Sequence, residues 1–205
     1  MRKIIGVGCI TMGLVCLLVA VGFVFYNRYE EIQGEKNSQI LLQELQTTIR
    51  ETKQAERPSE DVIREDMPVY VSREMATTTV GNYESIGFLT IPVLGLDLPV
   101  LTDWSYQKLK EAPCHYYGSY YESDFVIAAH NNAAHFGKLP QLLPGDLVLF
   151  TNVLGETRYY EVVLLETLLP TATEEMITSG FDLSLYTCTR GGGSRVTVRC
   201  ARVDY

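Results

Sequence analysis

The chain has 205 residues, 46% apolar and 10% aromatic, which is enough for one packed domain with an appendage and excludes a disordered chain. It carries 17 basic against 25 acidic residues, a formal net charge of −8 at pH 7. Arg2 and Lys3 are the only charged residues before position 27, so the remainder holds 15 basic and 25 acidic residues, a surface that disfavours nucleic acid and anionic membrane faces.

Residues 4–26, IIGVGCITMGLVCLLVAVGFVFY, are 23 positions without a charge, long enough to cross a hydrocarbon layer of roughly 30 Å. The run exceeds the roughly 7–15 residues of a signal-peptide h-region and lacks a small-x-small cleavage site, so a membrane anchor is expected. Arg2 and Lys3 predict a cytoplasmic N-terminus and an extracellular remainder. Residues 30–56 are polar and helix-compatible, with Leu41, Leu42, Leu45 and Ile49 forming a narrow apolar stripe, the pattern of a stalk helix that packs on the domain. Pro58 is expected to break it, and residues 57–75 form a charged linker. The expected division is therefore 1–26 anchor, 27–76 helical stalk and linker, 77–205 folded domain.

After Thr77 the character changes to short runs of β-branched and aromatic residues separated by turn signals, which predicts a mainly β barrel or sandwich. Strands are expected over residues 84–91, 96–100, 125–129, 146–151, 157–167, 183–187 and 195–203. Short helices are expected over 104–110 and 173–178, with tight turns at Pro144-Gly145-Asp146 and Val153-Leu154-Gly155-Glu156. Cys114 and His115 fall in a predicted loop.

Of the five cysteines, Cys9 and Cys16 lie in the anchor, leaving Cys114, Cys188 and Cys200 outside. No CxxC pair exists, so redox exchange and a zinc ribbon both lack their usual spacing. The odd number leaves at least one exported thiol free unless chains pair. Arg195-Val196-Thr197-Val198-Arg199-Cys200 alternates, sending Arg195, Thr197 and Arg199 to one face and Val196, Val198 and Cys200 to a core face. Cys200 is thus a packing residue.

Cys188 closes Leu183-Ser184-Leu185-Tyr186-Thr187, and His130 closes Phe125-Val126-Ile127-Ala128-Ala129. Taken singly, each is more often structural. Gly191, Gly192 and Gly193 permit a compact reversal that sets Cys188 beside Arg195, where a guanidinium can hold a carbonyl or its developing oxyanion. The bland alternative is a plain turn with a solvated arginine.

The ordered set of strand-end His130, Phe136-Gly137-x-Leu139, Pro144-Gly145-Asp146, Leu185-Tyr186-Thr187-Cys188 and Arg195-Val196-Thr197-Val198 resembles the sortase family over about residues 81–205. The anchor and stalk also suit a membrane-bound sortase. Two departures stand out: Leu185-Tyr186 replaces the common Thr-Leu before the Thr-Cys pair, and the Cys-to-Arg loop is short. The class stays open, because the long N-terminal segment is like class B while residues 168–182 leave no room for that class's long helix.

The resemblance implies a closed eight-stranded sortase-type β-barrel with short helices. It further implies Cys188 as nucleophile, His130 as acid and base, and Arg195 as substrate and oxyanion clamp, with Arg199 as fallback. Asn131, Thr187 and Thr189 are candidate substrate contacts, and residues 168–182 form one wall of the groove. The implied reaction cleaves an LPxTG-like sorting signal of a surface protein between Thr and Gly through a thioacyl enzyme. The acyl group then passes to an amine of a peptidoglycan precursor or a pilin lysine. Some sortases use calcium, but Glu122 with Asp124 and Glu174 with Glu175 look like ordinary solvated pairs, so no metal or other cofactor is expected. The competing expectations are an exported thiol hydrolase and a non-catalytic tethered β-domain that binds surface proteins or glycan.

Overall fold

The computed structural model describes residues 2–55 and 74–204. One continuous helix, α1 (Arg2–Ala55), includes both the expected anchor and the expected stalk. Its N-terminal part is long and apolar enough to cross a membrane. Pro58 and most of the expected linker lie outside the described residues.

The stalk is not a free spacer. Leu41, Leu45 and Ile49 recur every four residues, so they share one helix face, and that face is buried against Val80 and Val153. Polar contacts complete the seam: Glu44 accepts the Gly81 N–H at 3.0 Å and Lys53 Nζ donates to the Gly155 carbonyl at 2.7 Å.

Nine strands follow: β1 (Thr78–Val80), β2 (Tyr83–Ile91), β3 (Leu96–Leu101), β4 (Cys114–Tyr117), β5 (Phe125–Ala128), β6 (Leu147–Asn152), β7 (Thr157–Leu168), β8 (Leu183–Cys188) and β9 (Arg195–Val203). They run in the order β1-β2-β3-β4-β5-β8-β9-β7-β6, and β2 also pairs with β6. That last pairing closes the eight strands β2 to β9 into a barrel. β1 occupies the rest of the β2 edge shared with β6. Closure removes open sheet edges.

The expected strands are present with ends shifted by at most a residue or so, whereas β1 and β4 were not anticipated. β4 corrects the loop reading of Cys114 and His115: it is only four residues long and carries a register shift between His115 and Tyr117, so it shows no alternation to detect. Of the short helices, α2 (Lys108–Glu111) starts four residues later than expected and ends one residue beyond, and α3 (Thr173–Ile177) is one residue shorter than expected.

The barrel interior holds Leu89, Leu98, Ile127, Val162, Leu185 and Val198, all buried, with an aromatic cluster of Tyr120, Phe125 and Phe150. The Phe125 and Phe150 rings meet edge to face at 5.1 Å, a geometry worth about 0.5–1.5 kcal/mol beyond area burial.

Candidate active site

β5 is buried at every position, as expected of a strand flanked on both sides in the sheet and covered on both faces. It runs parallel to β8 with Ala128 opposite Tyr186, and the Ala129 N–H donates to the Tyr186 carbonyl at 3.2 Å. Parallel neighbours end at the same rim of the barrel. Continued two residues, this register sets His130 opposite Cys188, on strands about 4.8 Å apart. On the other side of β8, antiparallel β9 pairs Arg195 directly with Cys188. The rim therefore brings together Cys188 from β8, Arg195 from β9 and His130 from just beyond the end of β5, all three lining one cavity.

The six-residue link from Thr189 to Ser194 is a tight reversal. Thr189 N–H donates to the Ser194 carbonyl at 2.9 Å, and Gly192 N–H to the Thr189 carbonyl at 2.8 Å. Gly191 and Gly192 have φ of 89° and 75°, a region open mainly to glycine. The Thr189 hydroxyl accepts the Ser194 N–H at 3.0 Å, so this side chain braces the turn while also facing the larger of two cavities at the rim. Arg195 Nη1 donates to the carbonyls of Gly192 at 3.4 Å and Ser194 at 3.3 Å. Both bonds are long, at the weak end of the hydrogen-bond range.

Residues 130–137 form a compact loop organised by Asn132. Its side-chain oxygen accepts the His135 N–H at 2.7 Å, and its carbonyl accepts the Gly137 N–H at 2.7 Å. A Cβ at Gly137 would stand 2.5 Å from the Asn132 carbonyl oxygen, so the Phe136-Gly137 pair is a packing requirement of the histidine loop. Phe136 and Leu139 anchor the loop in the core. Asn131, the expected contact, is exposed and faces the larger cavity. Asn132 is the organiser, and the signal for it was the Asn-Asn turn composition after the strand.

Thr187 differs from its expected role as a substrate contact. It is buried, and its hydroxyl donates to the Ala129 carbonyl at 2.8 Å, on the face of β8 opposite Cys188. It ties together the two strand ends that carry His130 and Cys188.

Arg199 is 1% exposed and makes four hydrogen bonds. Its Nε donates to Glu166 Oε1 at 2.7 Å, and its Nη atoms to Ser184 Oγ at 2.8 Å and to the carbonyls of Glu175 at 2.7 Å and Met176 at 3.3 Å. It fastens α3 over the outer face of β8 and β9, which leaves it no donor geometry toward Cys188. The fallback clamp is a structural residue.

Among the described residues, two cavities share Cys188 and His130. The smaller, about 160 Å³, is walled by Trp104, Tyr106, Tyr116 and Tyr186 on one side and by Leu169, Pro170 and Met176 on the other, with Arg195 at its edge. Tyr116 meets Tyr186 edge to face at 5.3 Å and lies tilted against Trp104 at 5.9 Å. This aromatic wall was missed in the sequence; the signal was Trp104 and Tyr106, two large rings in an otherwise polar segment. The larger cavity, about 1050 Å³, lies between the rim and α1.

Burial, with the Lys110 charge adding to it, lowers the His130 pKa below its ordinary value of 6.5 and so favours the base form of the ring; Glu30 acts in the opposite sense. Cys114 and Cys200 are buried, and burial pushes each thiol up to about 12, which keeps both inert. Cys188 is partly exposed at the rim. Among the described residues no cluster of three or more His, Cys, Asp or Glu side chains is placed to hold a metal ion.

A closed barrel that gathers a partly exposed thiol, an imidazole and a guanidinium held by two long bonds at one rim has the make-up of a cysteine acyl-transfer enzyme. The family model for the sortase domain matches residues 89–203, and the chain belongs to the sortase family, whose members are cysteine transpeptidases of the cell envelope. Among solved structures it is similar to sortase C1 from Streptococcus suis, with 31% identity over 59% of this chain and 74% of that one, at a TM-score of 0.52. It is also similar to sortase C1 from Streptococcus agalactiae, with 27% identity over 62% and 72% of the two chains, at a TM-score of 0.55. A Clostridium perfringens sortase D5 transpeptidase shares the fold, with 18% identity over 82% of this chain and 99% of that one, at a TM-score of 0.58. No curated protein gave a match.

Proposed function

We propose that this sortase is anchored by the N-terminal part of α1 with its N-terminus in the cytoplasm, and that residues 77–205 form an extracellular catalytic domain. It cleaves an LPxTG-like sorting signal between Thr and Gly, with Cys188 as nucleophile, His130 as acid and base, and Arg195 as clamp. The observation that supports this reading is that Cys188 pairs with Arg195 across β8 and β9 and lines both rim cavities together with His130.

The apolar residues of the signal occupy the aromatic cavity of about 160 Å³, and the Thr carbonyl lies over Cys188. As the sulfur attacks, the thiol proton passes to the neutral His130 ring, and the carbonyl electron pair moves onto oxygen facing Arg195. The guanidinium leaves its long bonds to the hairpin carbonyls and stabilises that oxyanion. Collapse breaks the C–N bond to Gly, and the imidazolium protonates the departing amine. An amine from a peptidoglycan precursor or a pilin lysine then displaces the thiolate. Asn131 and Thr189, which face the larger cavity, are contacts for that second half-reaction.

The test incubates the full-length chain in detergent with an LPxTG-type peptide library, with and without an amine, and identifies products by mass. Ligated product that vanishes in Cys188→Ala is expected. Cleavage with water as sole acceptor under every amine tried would favour the hydrolase, and absence of cleavage across the library would contradict the substrate assignment.

A further inference from the structure

His130 is held through its backbone. Its carbonyl accepts the Asn132 N–H at 3.0 Å and the Phe136 N–H at 3.1 Å, so the loop of residues 130–137 folds back onto it. Among the described residues none hydrogen-bonds the imidazole, which feels burial and the charges of Lys110 and Glu30 instead. With no third group to orient the ring, its aim is set by the loop that carries it.

The tip of that loop is held from outside the barrel. Glu31 Oε1 on α1 accepts the Ala133 N–H at 3.0 Å, and Arg28 Nη1 steadies the other carboxylate oxygen at 2.9 Å. The Ala133 bond is the first cause of a Glu31 pKa below its ordinary 4.5, ahead of Arg28. Three residues on, a Cβ at Gly34 would stand 2.9 Å from the Lys110 carbonyl oxygen and 4.0 Å from His135 Cε1. A glycine in mid-helix is a poor helix former, and here it permits the close approach of α1 to α2 and to the histidine loop. Glu31 is partly buried, and Gly34, Ser38, Leu41 and Leu45 are buried, at steps of three and four. The face that packs at Leu41 and Leu45 therefore continues unbroken to the loop of His130.

Resting on the acid and base role proposed above for His130, we propose that Glu31 is a positioning residue for that histidine. Its carboxylate fixes the loop tip at Ala133, Gly34 brings α1 near enough for it to do so, and the helix that carries the apolar span thus sets the aim of the imidazole. The effect falls on proton transfer. It spares binding of the sorting signal, because the aromatic cavity is lined by no described residue of α1.

The test measures single-turnover acylation of Cys188 in the full-length chain in detergent from two donors. One is an LPxTG-type peptide, whose leaving amine needs a proton; the other is the same signal ending at Thr as a nitrophenyl ester, whose phenolate leaves without one. The reading is the amide-to-ester rate ratio, which loss of folded enzyme leaves unchanged. Glu31→Ala should lower that ratio about tenfold, a part of the roughly 10²–10⁴-fold that a placed proton donor contributes, at an unchanged half-saturating peptide concentration. Glu31→Gln, whose amide oxygen still accepts the Ala133 N–H, should stay within about twofold of the parent. Gly34→Ala should follow Glu31→Ala, although alanine is the better helix former. Lys53→Met, which cuts the seam at Gly155 instead, should keep the parent ratio.

An unchanged ratio in Glu31→Ala and Gly34→Ala would overturn the positioning role, as would an equal fall in Lys53→Met or in Glu31→Gln. His130→Ala separates this proposal from the reading beneath it, and should lower the ratio at least as far as Glu31→Ala. A ratio that survives in His130→Ala, or a parent chain acylated by neither donor, would contradict that reading itself, and this proposal with it.

Discussion

The two ends of the β8–β9 ladder use the same residue types for opposite ends. At one end Cys188 pairs with Arg195; at the other Leu183 pairs with Cys200 and Ser184 with Arg199. Cys200 and Arg199 are sealed, the thiol in the core and the guanidinium under α3, where it donates to Glu166, Ser184, Glu175 and Met176. Cys188 and Arg195 are left at the rim, the guanidinium on two long bonds to its own turn. Chemistry-bearing residue types become available for chemistry only where the fold leaves their bonding unfinished.

The largest effect that would break this contrast lies with the thiols. Cys188→Ala should reduce thioacyl enzyme to background in an intact-mass assay. Cys200→Ala should retain turnover and cost about 1–2 kcal/mol in urea unfolding, because it only removes a packed sulfur.

The arginines should separate in the same way. Arg195→Ala should slow acylation by about 10²–10³-fold, as loss of an oxyanion donor does, while shifting stability by about 0.5 kcal/mol or less. Arg199→Ala should destabilise by about 2–4 kcal/mol and free α3, since it strips buried partners of their donor.

Gly137→Ala sharpens the contrast from the histidine side. The added methyl must displace the Asn132 carbonyl, so kcat/KM should fall by up to about 10²-fold, the order set by a misplacement near 1 Å, with a smaller change in unfolding midpoint.

The smallest effect concerns acid. Burial pushes His135 down to about 4 from 6.5, so as pH falls below 6.5 the unfolded chain binds a proton there that the folded one refuses. Stability should therefore be lost between about 6.5 and 4, by on the order of 3 kcal/mol. His135→Leu should flatten that part of a stability-against-pH curve; an unchanged slope would show that other groups set it.

The strand carriers of the site were legible because β5, β8 and β9 are apolar or alternating runs with sharp ends, and the triple glycine announced the reversal. β1 and β4 were not, being too short to display a period. The alternation in β9 assigned faces correctly yet could not tell that the outer face is covered at Arg199 and open at Arg195. That difference depends on where residues 169–182 fold, a non-local fact. The stalk stripe at Leu41, Leu45 and Ile49 signalled packing, but a continuous helix beside the catalytic rim follows only from its contacts with Val80, Ala133 and Glu111.

The most direct test of the central claim is single-turnover acylation of the full-length chain by a sorting-signal peptide, followed by acid quench and peptide mapping, in the parent, Arg195→Ala and Arg199→Ala. The account predicts an adduct on Cys188 alone. Its rate should collapse in Arg195→Ala and, corrected for folded fraction, survive in Arg199→Ala. Equal losses at the two arginines, or an adduct on another cysteine, would contradict it.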